Sequence, residues 1–304
     1  MFRYRTSSSR HPGAGIHLAL VAIPLIVAAC AAAPASQSAG TAAQTADTAA
    51  PSTGAATQST GMAGPSSSTG PQGYLKPDAL DITAIIPRAP EKGDARDEAD
   101  RRIFRETRVL EGTPRWAMAA DDAKFSPADV LRHFSCSVDV ELTPENAPRT
   151  VRVAQRALRD TGRAMSVAKA HFKRVRPYLV DEGPICVPGD ELAKSYDYPS
   201  GHATAGWTWA MVLAQAVPER ATQIFARGRA IGESRVVCGV HNASAVEAAR
   251  VSTSAVMTVV MTTPEYQADL QAAREELEEL RRTGPKPDPA RCAEEAALIA
   301  ETRY

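Results

Sequence analysis

Three short clusters of cationic, hydroxyl and imidazole side chains follow one another along the middle of this 304-residue chain: Lys169 to Arg176-Pro177, then Pro199-Ser200-Gly201-His202, then Ser234-Arg235 to His241. They read together as an anion pocket holding two histidines, and only a fold that brings three separated stretches to one place can build it. Lys169 and Arg176 are seven positions apart. On an α-helix that is close to two turns, so both cations are predicted on one face, about 10 Å apart along the axis. Pro177 biases Arg176 out of helical geometry and is predicted to end the helix there, leaving the guanidinium at a loop edge. Pro199-Ser200-Gly201-His202 runs into the apolar stretch Ala203 to Val217. It therefore reads as a helix N-terminus, where free backbone N–H groups and the dipole favour phosphate. Arg235 and His241 enclose Cys238-Gly239, which predicts a bend or a helix start before the histidine.

Taken singly, each cluster has an ordinary reading: a solvated basic face, a turn with a surface histidine, an isolated Ser-Arg pair. In this order and spacing they resemble the bacterial class A non-specific acid phosphatases, within the type 2 phosphatidic acid phosphatase and vanadium haloperoxidase superfamily. That pattern is Lys, six residues, Arg-Pro; then Pro-Ser-Gly-His; then Ser-Arg, five residues, His, three residues, Asp. Every position matches except the last, where Ala245 stands. Gly112-Thr113-Pro114-Arg115-Trp116, Asp122-Ala123, Phe134-Ser135-Cys136, Gly206-Trp207 and Val236-Val237-Cys238-Gly239 also resemble the family, so the likeness runs from about Tyr74 to about Leu280.

The resemblance implies an exported acid phosphatase that hydrolyses phosphate monoesters without a metal or other cofactor. His241 would attack phosphorus to give a phosphohistidine, and His202 would protonate the leaving alkoxide and then activate water. Lys169, Arg176, Ser200, the Gly201 N–H and Arg235 would bind the phosphoryl oxygens. Their charges should lower both histidine pKa values in the free enzyme. The family Asp, one turn beyond the nucleophile, would accept from its Nδ1–H and set its tautomer; alanine accepts nothing. Three readings follow. Another group, namely Glu247, the Asn242 amide, the Ser244 hydroxyl or a backbone carbonyl, substitutes; or the enzyme is slow; or the chain is a phosphate-binding relic. A vanadium haloperoxidase, with His241 as vanadate ligand, is the alternative from a different chemistry.

The fold class implied is all-α: one globular helical domain over 74–304, behind a disordered tether. Ser126-Pro127-Ala128-Asp129 reads as a capped helix start. A second run begins at Pro148, and further helices are predicted over Ser166–Val175, Ala203–Val217, Arg220–Val236, Val246–Thr262 and Pro264–Arg282. In the last of these, Leu270, Ala273, Leu277 and Leu280 form a narrow stripe for packing or for a homo-oligomer contact. Asp81 to Pro90 reads as extended. Trp207, Trp209, Tyr196 and Tyr198 are read as core in preference to pocket walls, and His171, Lys173 and Arg174 as solvated.

Arg3, Arg5 and Arg10 precede an apolar run from Ile16 to Ala29, too short to span a membrane. Val27-Ala28-Ala29-Cys30 resembles a bacterial lipoprotein box, which would make 1–29 a signal peptide and Cys30 a lipidated N-terminus anchored to the outer membrane from the periplasm. A plainly cleaved signal is the alternative. From 31 to 73 the chain is Ala, Ser, Thr, Gly, Gln and Pro with almost no charge, a composition that cannot bury enough surface to order itself. Lys and Arg equal Asp and Glu at 35 each, so no global field points to nucleic acid; the partners expected are small phosphate monoesters. Cys136, Cys186, Cys238 and Cys292 lack zinc spacing, and export favours disulfides. The resemblance pairs Cys186 with Cys238, leaving Cys136 for Cys292.

Overall fold

Ser126 opens its helix as its sequence predicts. In the computed structural model, which describes residues 72–190 and 192–300, the Asp129 N–H donates to the Ser126 hydroxyl at 3.2 Å and the Ser126 N–H donates to the Asp129 carboxylate at 3.2 Å. With Pro127 in the first turn, this reciprocal box fixes the start of the helix. Ten α-helices occur among the described residues: α1 Ile82–Ile85, α2 Ala95–Thr107, α3 Pro114–Asp121, α4 Pro127–Val138, α5 Pro148–Phe172, α6 Gly201–Ala216, α7 Ala221–Val237, α8 Ala243–Val260, α9 Pro264–Thr283 and α10 Pro289–Ala300. The all-helical expectation holds.

The central element is α6, which packs on α5, α7, α8 and α9. Its sequence is apolar or small on all sides, from Ala203 through Gly206 to Leu213, as a helix enclosed by neighbours requires. Small residues let α6 and α7 approach closely. A Cβ added at Gly228 would lie 2.5 Å from the Ala210 Cβ, and one at Gly206 would lie 2.7 Å from Ile231 Cγ2. Gly228→Ala must therefore push the two helices apart, since the Ala210 methyl cannot rotate away. A loss of about 1–3 kcal/mol is expected in chemical denaturation; unchanged stability would mean that the helices yield freely.

The α9 stripe turns inward. Leu270, Ala273 and Leu277 are buried with Tyr266, and α9 packs on α5. Trp209 and Tyr198 are core residues, the Tyr198 hydroxyl donating to the Pro87 carbonyl at 2.8 Å. Trp207 is half-buried and donates to Ser254 Oγ at 3.1 Å, while Tyr196, expected in the core, is exposed, its carbonyl taking up the Lys169 ammonium. Disulfides join Cys136 to Cys292, tying α4 to α10, and Cys186 to Cys238, tying the loop after α5 to the end of α7.

Several expectations are corrected. The runs predicted separately from Pro148 and over 166–175 form one 25-residue helix, α5, which stops at Phe172 because Lys173 adopts a left-handed conformation, φ 50°. Arg176 is therefore not on the helix face of Lys169. The Asp81–Pro90 segment contains α1, capped by the Asp81 carboxylate accepting from the Thr83 N–H at 3.0 Å. Helices α2, α3 and α10 carried no sequence expectation; eight of the 13 residues of α2 are charged, which hides its apolar contacts through Phe104. The signal, Cys30 and tether readings lie outside the described residues. No helix among the described residues is long and apolar enough to cross a membrane.

Candidate active site

The three clusters meet around His241. The ring follows the end of α7, where Gly239 takes a positive φ of 77° and the chain turns into α8. At that turn the His241 N–H donates to the Arg235 carbonyl at 3.2 Å, so the third cluster folds on itself. Arg176 lies in extended backbone just before a short 3-10 turn, Pro177–Leu179. Its guanidinium donates to the Ser195 carbonyl and to the Val240 carbonyl, both at 2.8 Å, and its Nη1 lies 3.1 Å from His241 Nε2. Guanidinium nitrogens only donate, so His241 Nε2 is the acceptor in this contact and carries the lone pair. The imidazole proton then sits on Nδ1.

Nδ1 faces Asp197 Oδ1 at 2.9 Å. The same oxygen accepts from the Asn242 backbone N–H at 3.1 Å, and Oδ2 accepts from Asn242 Nδ2 at 2.9 Å. Arg174 lies 3.5 Å from Oδ2. Asp197 was not among the sequence candidates, because it precedes the second cluster and lies 44 positions before the histidine it touches. The three side chains expected in that role go elsewhere, and Nδ1 meets a carboxylate and not a backbone carbonyl. Glu247 is exposed and pairs with Arg250. Ser244 donates from its backbone and hydroxyl to Asp100, and accepts from Arg174. Asn242 binds the carboxylate instead of the imidazole. The Ala245 carbonyl accepts from the Ser200 N–H at 3.0 Å, bracing α6 against α8. Arg174, expected in solvent, is held by Asp97 and Asp100 at 2.8 Å each. His171 and Lys173 are exposed as expected.

His202 stands in the first turn of α6, after a cis Tyr198–Pro199 bond and the Ser200 cap. Ser200 is fully buried, and its hydroxyl accepts from the Ala203 N–H at 3.4 Å. Gly201 is the first helical residue, in the turn whose backbone N–H groups have no partner within the helix. His202 Nε2 lies 3.2 Å from the Ala123 carbonyl, which can only accept. Nε2 is thus protonated and Nδ1 is the other titrating position. Phe125 meets the ring edge-on, centroids 5.1 Å apart.

The loop carrying Ala123 is itself anchored. Asp122 takes Arg227 through both oxygens, at 3.1 and 2.5 Å, and accepts from Ser234 Oγ at 2.6 Å. Ser234 in turn accepts from Arg115 at 3.0 Å. The serine of the Ser-Arg pair therefore braces the loop behind His202. Arg235 is 1% exposed, yet its Nε and Nη1 find no partner among the described residues. Buried N–H donors without acceptors are costly, so such a guanidinium marks a place for an anion.

Burial and like charge set the electrostatics. Desolvation first, then Arg176, Lys169 and Arg235, hold His241 well below the ordinary imidazole range. Desolvation and Arg235 push His202 down to about 3. Lys169, whose ammonium donates to the Tyr196 carbonyl, is lowered to about 8 by desolvation and by Arg176. Arg235 is lowered to about 10 by desolvation and by Arg176. Asp197 moves the other way, to about 6, because complete burial outweighs Arg174 and the Asn242 hydrogen bonds. Among the described residues, no three His, Cys, Asp or Glu side chains converge as metal donors do.

The sequence profile of the PAP2 superfamily matches residues 157–269, which contain all three clusters. An acid phosphatase of Zymomonas mobilis subsp. mobilis is 35% identical over 205 residues, covering 67% of this chain and 78% of the relative. Non-specific acid phosphatases of Providencia stuartii and Salmonella typhi are each 34% identical, covering 69% and 70% of this chain and 86% of each relative. With that likeness over most of both partners and with the clustered histidines and cations described above, the chain belongs to the PAP2 superfamily and, within it, to the bacterial non-specific acid phosphatases.

Proposed function

We propose that this chain is an exported, metal-independent acid phosphatase that hydrolyses phosphate monoesters through a phosphohistidine on His241. The observation that carries the reading is the Nε2 lone pair of His241, held beside Arg176 in a pocket that also contains the unpaired guanidinium nitrogens of Arg235. In the first step that lone pair attacks phosphorus, and the bond from phosphorus to the ester oxygen breaks with its electrons leaving on the alcohol oxygen. That oxygen takes a proton from His202 Nδ1. In the second step His202 removes a proton from water, whose oxygen attacks phosphorus while the bond from phosphorus to Nε2 breaks, returning the pair to His241. Lys169, Arg176 and Arg235 stabilise the charge on the three peripheral oxygens, the task a metal performs in other phosphoryl-transfer sites. Ser200 and the Gly201 N–H complete the cradle at the positive end of α6.

The two disulfides suit an oxidising compartment, and the leader reading puts the enzyme in the periplasm, tethered to the outer membrane through Cys30. The purified full chain should release phosphate from p-nitrophenyl phosphate without added metal. Its KM should rise above pH about 8, because a lysine lowered to about 8 loses its charge there and with it a phosphate contact. Phosphate release absent at every pH, or halide oxidation dependent on added vanadate, would overturn the reading.

A further inference from the structure

The nucleophile of this chain has an intact carboxylate partner in an unexpected place. Counting along the sequence, the position one turn beyond His241 is Ala245, which is fully buried and offers no side-chain acceptor. Across the ring, Asp197 is also fully buried, and its two oxygens are fixed by the Asn242 N–H, the Asn242 amide and the His241 Nδ1–H. The aspartate stands five positions before His202, in the segment that delivers the acid of the reaction, whereas Ala245 stands on the first turn of α8.

We propose that Asp197 is the positioning residue for His241, holding its proton on Nδ1 and its lone pair on Nε2, and that it performs from the loop before α6 the task that Ala245 cannot perform from α8. The inference rests on the phosphomonoesterase reading for its kinetic consequences but not for its structural one. Two facts separate it from a purely structural ion pair. Arg174 makes its direct ion pairs with Asp97 and Asp100 at 2.8 Å each and approaches Asp197 only to 3.5 Å, so Asp197 adds to its field while its own hydrogen bonds go to His241 and Asn242. Asn242 directs both its backbone N–H and its side-chain amide to the carboxylate, which fixes the plane in which Oδ1 meets the ring. The arrangement also links the two histidines: one short stretch, 197–202, carries the group that orients the nucleophile and the group that protonates the leaving oxygen.

The charges facing Asp197 come from Arg174 and Arg176 after α5, Lys169 at its end, and His241 after α7. A carboxyl pushed up to about 6 by burial in the free protein would protonate within the working range, so the acid limb of kcat/KM should follow it and should vanish when Asp197 is replaced.

The test combines kinetics with the ¹⁵N resonances of His241. In the wild type the inference requires a protonated Nδ1 and an unprotonated Nε2 at neutral pH, and a proton found on Nε2 overturns it whether or not the protein is active. Asp197→Asn, which keeps the shape of the side chain, is expected to lower kcat by roughly 10³–10⁴-fold, with KM changed by less than about threefold, and to move the imidazole proton. Turnover within about threefold of wild type overturns the inference. Ala245→Asp should not raise turnover while Asp197 is present, but should raise it at least about tenfold in the Asp197→Ala background; a folded double variant no faster than Asp197→Ala overturns the exchange of positions. If neither the wild type nor His241→Ala hydrolyses phosphate esters, the phosphatase reading fails instead, and the imidazole proton still decides the inference: it must leave Nδ1 in Asp197→Asn, and a proton that stays on Nδ1 there overturns it because Arg176 alone would then hold the tautomer.

Discussion

Replacing His241 with alanine is expected to abolish phosphate release from p-nitrophenyl phosphate, a loss of about 10⁵-fold or more, because removing a covalent nucleophile removes the pathway and not merely one of its supports. Neither serine of the clusters can take its place: Ser234 is committed to Asp122 and Arg115, and Ser200 is a buried cap. Binding should survive the change. Lys169, Arg176 and Arg235 remain, and removing the ring frees Arg176 from its 3.1 Å contact with Nε2. Calorimetry with inorganic phosphate should therefore give an affinity within about tenfold of wild type, as expected where a residue acts on the transition state and not on the ground state. Rapid acid-free quenching of the wild type with a labelled substrate should trap the label on this one histidine. Turnover of His241→Ala within about a hundredfold of wild type would remove the nucleophile from the mechanism.

The second large effect belongs to His202 and depends on the leaving group. His202→Ala is expected to cost about 10²–10⁴-fold in kcat for an alkyl phosphate, whose alcohol needs a proton as it departs. For p-nitrophenyl phosphate the first step should suffer far less, since nitrophenolate leaves unaided, and the loss should appear as accumulated phosphohistidine because the base for the second step is gone. The pH profile supplies an independent readout. With Arg235 nearby and little solvent, the ring of the free protein is pushed down to about 3 and is neutral at pH 6. A dianionic phosphate beside it reverses the sign of its surroundings and raises that pKa, so the proton arrives with the substrate. In the wild type kcat should fall as pH rises past the raised value, and in His202→Ala that limb should disappear. Equal losses in the first turnover, read as release of the alcohol and of nitrophenol before the phosphohistidine is hydrolysed, would show that His202 is not the acid.

Legibility in the sequence followed the range of the interactions concerned. The starts of α4 and α6 were readable because a cap and its helix are neighbours in the chain: Ser126 with Asp129, Ser200 with Ala203. The stripe of α9 was readable because Leu270, Ala273 and Leu277 recur at helical spacing. By contrast, α2 is dominated by charges whose partners lie far away, with Arg101 on Asp181 and Asp97 on Arg174, and nothing local marks it as packed. Arg174 was misread for the same reason. A cation between a Lys and a Val looks solvated until three aspartates from two other segments close on it.

The sequence by itself determined which side chains could perform the chemistry. Two histidines, three cations and their order along the chain are properties of covalent spacing, and so are the caps and stripes that make the scaffold helical. Only the tertiary structure decided how they are oriented. The ring of His241 is held between an oxygen 44 positions away on Nδ1 and the Arg176 guanidinium on Nε2, and the unmet donors of Arg235 depend on which neighbours do not reach it. The lowered histidine and raised aspartate pKa values depend on how completely the packed helices exclude water. Covalent spacing governs contacts within a turn or two of helix, whereas hydrogen-bond direction and desolvation are set by whatever the fold brings alongside, and no local pattern records it.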